Sequence, residues 1–435
     1  MTTKNENISY QKKCKICGNT NLKKVLFIDE QYISATFVKS NKDNDLTKIK
    51  TPLTLILCSE NSKKDNCGLL QLLEITKADL LYKQYFYRSA TSDTMRKDLN
   101  DVVQNVTKII HLKDNDIVVD IGSNDCTLLN FYNSNLKLVG YEPAQNIKYI
   151  DKNKNIKIFP TYFNSKDFNN NFEKKAKVIT SCAMFYDLAD PKQFVKNIDK
   201  ILDQDGIWCV QISYLVSMLK FNNFYDICHE HLSYYSIESF ENLLKPFGLK
   251  IFSIKTNNVN GGSIRFYICK KNCTIYDSKS NINNIEKLKN NEKKYQLKNK
   301  KTYINFEKKI NKFKRITKKY INNSIKSGEM VIGLGASTKG NILLQHFGLT
   351  KKEIPVISEI NKFKIGLKCI GTDIKLISEK EAKLLKPDVM LVLPWYFKDE
   401  IVKREKNYLK TGGKLFFPMP YPHIVSSKGE KKINN

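Results

Sequence analysis

Ile117-Val-Val-Asp-Ile-Gly-Ser-Asn-Asp-Cys-Thr-Leu-Leu129 is the stretch whose reading decides the fold. An apolar run ends in the acid Asp120, Gly122 lets the backbone come close to a ligand, and Asn124 and Asp125 are expected to lead into a helix. About twenty residues on, where a ribose-binding acid sits in nucleotide-binding sheets, a second apolar run, Leu138-Val-Gly-Tyr-Glu142, ends in another carboxylate. A dinucleotide site needs three spaced glycines and brings a pyrophosphate to a helix N-terminus. Here there are one glycine and two acids, which would repel pyrophosphate. A sulfonium with an amino group, as in S-adenosylmethionine, suits such surroundings. Asp120, Gly122, Asn124 and Glu142 are therefore expected to hold it. The competing reading is an ordinary strand-to-helix turn.

Outward from this turn, strand-like and helix-like segments alternate from Ile117 to about Lys270. Val178-Ile-Thr-Ser181, Ile207-Trp-Cys-Val-Gln-Ile212 and Ile264-Arg-Phe-Tyr-Ile-Cys269 are further apolar runs, and that rhythm implies a parallel sheet covered by helices on both faces. The segment leading in, 81 to about 105, reads as helical. Residues 272–325 are rich in Lys and Asn, with apolar residues at helical intervals (Tyr303, Phe306, Ile310, Phe313), and read as a solvated helix or helix pair; a disordered linker is the alternative. From Met330 the strand–helix rhythm returns, through Met330-Val-Ile-Gly-Leu334, Ile354-Pro-Val-Ile357, Val389-Met-Leu-Val-Leu393 and Lys414-Leu-Phe-Phe417. The expected organisation is α/β: an N-terminal zinc-binding module at 1–80, a central Rossmann-like methyltransferase domain at 81–271, a helical linker at 272–325 and a second Rossmann-like domain at 326–435.

The zinc expectation comes from cysteines. Cys14-Lys-Ile-Cys17 forms one pair, and Cys58 and Cys67 form a second. Four thiolates make a closed, structural shell for tetrahedral Zn²⁺; Fe²⁺ would also fit, and four small buried residues without metal are the plain alternative. The net charge of +29 raises nucleic acid as a partner, but only five of the 73 basic residues are Arg and the lysines follow the asparagines. That points to base composition rather than a phosphate-gripping surface. A basic zinc protein that binds nucleic acid is the contrasting class, and a steep salt dependence would mark it. No run approaches the ~20 apolar residues of a membrane span, and Met1 to Lys13 is polar, so a cytoplasmic chain with reduced cysteines is expected.

Two of the five histidines lie in Asp226-Ile-Cys-His-Glu-His-Leu-Ser-Tyr-Tyr235. His229, Glu230 and His231 gather a base, a carboxylate and hydrogen-bonding groups, as catalysis requires. A metal site using both histidines and a plain polar loop are the other readings.

Taken together, these motifs resemble the bacterial sugar C-methyltransferases that act on nucleotide-linked 4-keto-deoxyhexoses. The resemblance runs through both cysteine pairs, Tyr85-Phe-Tyr-Arg-Ser89 with Ser92, Asp120-Ile-Gly-Ser-Asn-Asp125, Glu142-Pro-Ala144, His229-Glu-His-Leu232, Asn260-Gly-Gly-Ser263, Gly335-Ala-Ser-Thr-Lys-Gly-Asn341 and Leu393-Pro-Trp395. It implies proton abstraction from carbon 3 beside the 4-keto group, with His231 as base and Glu230 and Tyr87 orienting or polarising the acceptor. It also implies that the C-terminal domain holds the nucleotide diphosphate near Gly335, Lys339 and Asn341. Members often carry Tyr where this chain has Cys228, and many have a further His in the stretch that reads Cys182-Ala-Met-Phe-Tyr-Asp187 here, with Tyr186 instead. A different acceptor, methylated on oxygen or nitrogen, therefore stays open. So does NAD at the C-terminal turn, where Glu359 ends a strand about 25 residues on. A monomer or homodimer acting on a small molecule, without nucleic acid or membrane, is expected.

Overall fold

Ile117–Ile121 is buried along its whole length, because it lies inside a seven-stranded sheet. The computed structural model describes residues 6–34, 36–39, 49–59, 66–83, 85–152 and 156–434. Across the sheet the strands run Leu249–Asn257, Ser263–Lys270, Leu202–Ser213, Ala176–Cys182, Ile117–Ile121, Lys137–Tyr141 and Ile156–Phe159. The chain first builds outward from Ile117–Ile121 to one side, then crosses back to Ala176–Cys182 on the other. That reversal leaves a crevice at the carboxyl ends of the strands, where ligands bind in open α/β sheets.

The sheet is mixed rather than wholly parallel. Ser263–Lys270 runs antiparallel to both of its neighbours, since the Asn260-Gly-Gly turn returns the chain at once and leaves no room for a crossover helix. The expected helix after Gly122 is also absent. Asn124 and Cys126 have φ of 49° and 66°, left-handed values that break helical propagation, and only the short 3₁₀ turn Leu129–Phe131 follows. Upstream, the long helix is Asp93–Ile109, capped by the Ser92 hydroxyl on the Met95 N–H, so Tyr85 to Arg88 form an irregular segment instead of helix.

The N-terminal module is a meander whose strands Leu22–Tyr32, Lys50–Cys58 and Leu70–Leu72 pair antiparallel. Residues 60–65, between Cys58 and Cys67, lie outside the described residues. The sheet is completed by Ser233–Tyr234, just after the two histidines: Ser233 pairs with Gln71 and Tyr234 with Leu70. The C-terminal domain has five parallel strands, Lys414–Phe417, Val389–Val392, Val331–Leu334, Val356–Glu359 and Lys375–Ser378, in that order. Phe37–Val38 extends the far edge through Lys368–Cys369, so an N-terminal segment closes the C-terminal sheet. Helices Lys279–Lys294 and Lys300–Lys326 occupy the polar region between the two α/β domains. One apolar cluster runs through all three parts, from Cys14 and Leu55 through Trp208 and Phe240 to Leu391 and Phe416.

Candidate active site

A cavity of about 700 Å³ opens where the three parts meet. Its floor on the middle-sheet side is Gly122, Asn124 and Glu142. Gly122 has φ 76°, and a Cβ there would stand 3.1 Å from the Met184 side chain. Glu142 is fixed from both sides: one carboxylate oxygen accepts from the Asn124 N–H at 2.8 Å, the other from the Ala144 N–H at 2.9 Å. Burial raises its pKa, and those two N–H donors pull it back.

Asp120 does not reach this wall. Its carboxylate is turned behind the turn and accepts from the Thr180 hydroxyl at 2.6 Å. Burial pushes its pKa up to about 7, against the Thr180 bond and with help from the Glu142 charge. Asp120 thus stands behind the cavity wall rather than in it, its carboxylate taken up by the neighbouring strand Ala176–Cys182.

The irregular segment at Tyr85–Ser89 roofs the turn. The Ser89 N–H donates to the Asn124 side chain at 3.1 Å, the Ala90 N–H to Asp125 at 2.9 Å, and Arg88 donates to the Asn146 carbonyl at 2.7 Å. Tyr85 and Tyr87 both face the cavity.

On the opposite side stand Glu230 and His231. The His231 ring lies 4.2 Å from the Tyr186 ring, centroid to centroid. Burial, and then the Lys339 charge, drive its pKa well below the ordinary value, against a hydrogen bond to the Asp226 backbone. At neutral pH the imidazole is uncharged and able to take a proton. Glu230 accepts from the Ser34 hydroxyl at 2.9 Å. His229 is not in the wall: its Nδ1 lies 3.1 Å from the Ser34 hydroxyl, and burial lowers its pKa to about 4. The chain turns between the two histidines, with the His231 N–H donating to the Cys228 carbonyl at 3.1 Å, and this turn sends His229 toward Ser34 and His231 into the cavity, where an extended segment would have put both on one face. The two rings do not form a metal site. Among the described residues, the four cysteines are the only metal-capable cluster of His, Cys, Asp and Glu.

From the C-terminal domain, Lys339 enters the wall but is already committed. Its ammonium is ion-paired with buried Asp226 and donates to the Asn260 carbonyl at 3.3 Å. Burial opposes its charge, but Asp226 with smaller help from Tyr396 and Cys228 together outweighs it, so its pKa is raised. Gly335 and Asn341 lie outside the wall. Gly335 packs on Pro394, where a Cβ would be 2.8 Å from the ring, and Asn341 is sealed inside the first turns of helix Thr338–Phe347. The same domain is docked by Tyr225, whose hydroxyl donates to the Leu393 carbonyl at 3.2 Å. Residues that the sequence reading did not single out, Tyr82, Asp187 and Tyr396, also line the cavity, and Asp226 supports it from behind. They come from separate elements, and only Asp187 and Asp226, acids at the ends of two quoted stretches, carried any signal.

Below the cavity the four cysteine Sγ atoms all lie within 4.8 Å of one another, with Cys14 and Cys67 at 3.3 Å and Cys17 and Cys58 at 3.5 Å. Tetrahedral Zn²⁺ with bonds of about 2.3 Å needs sulfurs about 3.8 Å apart, so the residues fit the ion. Hydrogen bonds from Cys14 and Cys67 hold the Cys58 thiol down at about 2, while Cys14 is pushed up to about 12 chiefly by its bond to Cys58. Thiols this close together suit a divalent cation, which binds cysteines as thiolates.

Three family models match in succession: a zinc binding domain over residues 14–82, a methyltransferase domain over 92–254 and a C-methyltransferase C-terminal domain over 258–420. Among curated proteins, the C-methyltransferase NovU of Streptomyces niveus is 26% identical over 418 residues, covering 95% of this chain and 97% of that protein. Among solved structures, an S-adenosylmethionine-dependent methyltransferase from Clostridium acetobutylicum is 13% identical over 42% of this chain and 93% of its own, with a TM-score of 0.30. The YcgJ protein of Bacillus subtilis is 10% identical over 40% and 96%, with a TM-score of 0.29. The strand order described above, rather than these two likenesses, carries the fold.

Proposed function

This chain is an S-adenosylmethionine-dependent C-methyltransferase with an N-terminal zinc-binding module, and on that premise we propose that it methylates carbon 3 of a nucleotide-linked 4-keto-deoxysugar through an enolate. The observation that carries the reading is His231: an uncharged imidazole, packed at a tilt against the Tyr186 ring, facing the same cavity as Glu142 and Gly122. Methylation of oxygen needs no strong carbon-acid base, whereas a carbon beside a ketone does.

When bound, S-adenosylmethionine supplies an electrophilic methyl on a sulfonium. Glu142 would accept the ribose hydroxyls, with its carboxylate already oriented by Asn124 and Ala144. Gly122 would let the backbone lie against the donor, and Asn124 would tie it to the Tyr85–Ser89 roof. Asp120 would act indirectly, by fixing the turn. Across the cavity His231 would take the proton from carbon 3, while Glu230 and Tyr87 hold the acceptor in line with the methyl. Much of the acceleration is then orientation of two bound reactants. The Lys339, Ser337 and Lys364 side of the cavity would receive the nucleotide end of the acceptor, with Lys339 exchanging its Asp226 partner for phosphate. The substrate class comes from the motif resemblance, and the cavity is walled by both α/β domains.

The test is incubation in D₂O with methyl-labelled donor and a set of nucleotide-linked 4-keto-6-deoxyhexoses. The expected product carries a new C–CH₃ group by NMR. Exchange of the carbon 3 proton for deuterium should occur with S-adenosylhomocysteine in place of the donor and vanish in His231→Ala. An O–CH₃ or N–CH₃ product, or exchange that survives the substitution, would overturn the reading.

A further inference from the structure

Next to His231 the cavity holds more acid than the proposed reaction uses. Two carboxyls, Asp187 and Glu230, line it together. The backbone brings them there: the Leu232 N–H donates to the Tyr186 carbonyl at 2.9 Å, which locks the Tyr186-Asp187 turn against the His229-Glu-His231 segment. The Tyr82 hydroxyl hydrogen-bonds the Asp187 side chain and reaches the Glu230 carbonyl at 3.5 Å. Asp187 Oδ1 is sealed from solvent and has no hydrogen-bond partner.

Among the described residues no cation is bonded to this pair. Lys339 is held by Asp226 and Asn260, and the Lys15 ammonium donates to the Leu188 carbonyl at 3.2 Å; both act on Asp187 only through their fields. The other titratable groups around it, Tyr82, Tyr85, Tyr186 and the Cys228 thiol, are neutral donors. Two carboxylates enclosed in one desolvated pocket do not both ionise. The donors settle which one keeps the charge. Glu230 accepts from the Ser34 hydroxyl and from the Cys228 thiol, whereas Asp187 has Tyr82 alone. Burial, and then the Glu230 charge, push the Asp187 pKa well above the carboxylate range.

We propose that Asp187 works in its protonated form and donates a hydrogen bond to the acceptor's enolate oxygen. This role rests on the enolate reading above. His231 takes the proton; the C–H pair becomes the C=C bond while the carbonyl π pair moves to oxygen, and the Asp187 O–H is shared with that oxygen. As the new C–CH₃ bond forms, the C=C pair goes to the methyl carbon while the pair of the breaking S–CH₃ bond stays on the departing, now neutral sulfur; an oxygen pair restores the C=O bond, and Asp187 keeps its proton. His231 then loses the captured proton to solvent. A neutral donor aimed at charge that develops only in the transition state adds rate without tightening ground-state binding.

Infrared difference spectroscopy between wild type and Asp187→Asn, both with S-adenosylhomocysteine bound at neutral pH, tests the protonation without any acceptor. The expected result is loss of a protonated-carboxyl C=O band that moves when aspartate is ¹³C-labelled. Absence of such a band, or a lost band indifferent to the aspartate label, overturns the proposal. Kinetics give the second arm. Asp187→Ala is expected to lower kcat about 100- to 1000-fold, while Asp187→Asn, which keeps a donor, stays within roughly tenfold. A sharp rise in KM for Asp187→Asn with kcat unchanged would mean an ionised Asp187 that grips a cationic acceptor, and would overturn the proposal too. Unaltered S-adenosylhomocysteine affinity reports that each variant is folded. If no 4-keto sugar is methylated, the enolate reading fails on its own assay, while the infrared arm still decides the state of Asp187.

Discussion

At Asp120 a carboxylate is sealed against Thr180, and at Glu142 another lies open to the cavity, although each ends a neighbouring strand of one sheet. Their difference has a measurable signature. An unfolded Asp ionises near 3.8, whereas burial moves Asp120 up to about 7. Between those values the folded chain binds more protons than the unfolded chain, so the Asp120 contribution to stability falls as pH rises and levels off above the folded pKa. Asp120→Asn removes that loss. Relative to wild type, the variant should gain stability between about pH 4 and pH 8, on the order of 3–4 kcal/mol, read from denaturant unfolding at each pH. At this scale the sequence marked Glu142, Asn124, Glu230 and His231 by residue type and spacing. It also marked Asp120, His229, Gly335 and Asn341, which the structure turns away from the cavity, since spacing alone does not say which side of a strand end faces the ligand. Asp187 escaped notice because its chemistry depends on Glu230, more than forty residues away, being packed beside it.

Among the elements, the two-residue strand Ser233–Tyr234 matters most for its size, because it fastens the His229-Glu-His231 segment to the sheet in which Cys58 ends one strand and Cys67 precedes the next. The metal site is therefore expected to act on turnover from a distance. Stripping zinc with a chelator, or substituting Cys67→Ser, should lower kcat roughly 100-fold through misplacement of His231. Affinity for S-adenosylhomocysteine should stay the same, and amide exchange should speed up at 228–235. A parallel loss of donor affinity would contradict this division of labour. Long apolar strands such as Leu202–Ser213 were legible from their apolar runs. Leu249–Asn257 was missed, because lysine, serine and asparagine at its outward positions dilute the pattern. Ser233–Tyr234 and Phe37–Val38 are too short to carry any period at all; partners distant in sequence make them strands.

On the scale of the whole molecule, the parts read separately from the sequence are joined by shared sheets and a shared core. Phe37–Val38 lies in the C-terminal sheet, Tyr225 holds Leu393, and one apolar cluster crosses every boundary. The zinc-loaded chain should therefore melt in a single calorimetric transition whose calorimetric and van't Hoff enthalpies agree, whereas independent domains would give two or three peaks. The Tyr85–Ser89 roof lies over the Gly122–Asp125 turn and is pinned to Asn124, Asp125 and Asn146. Donor passage on that side is expected to require those bonds to part, and Asn124→Ala should then speed release of S-adenosylhomocysteine in stopped-flow.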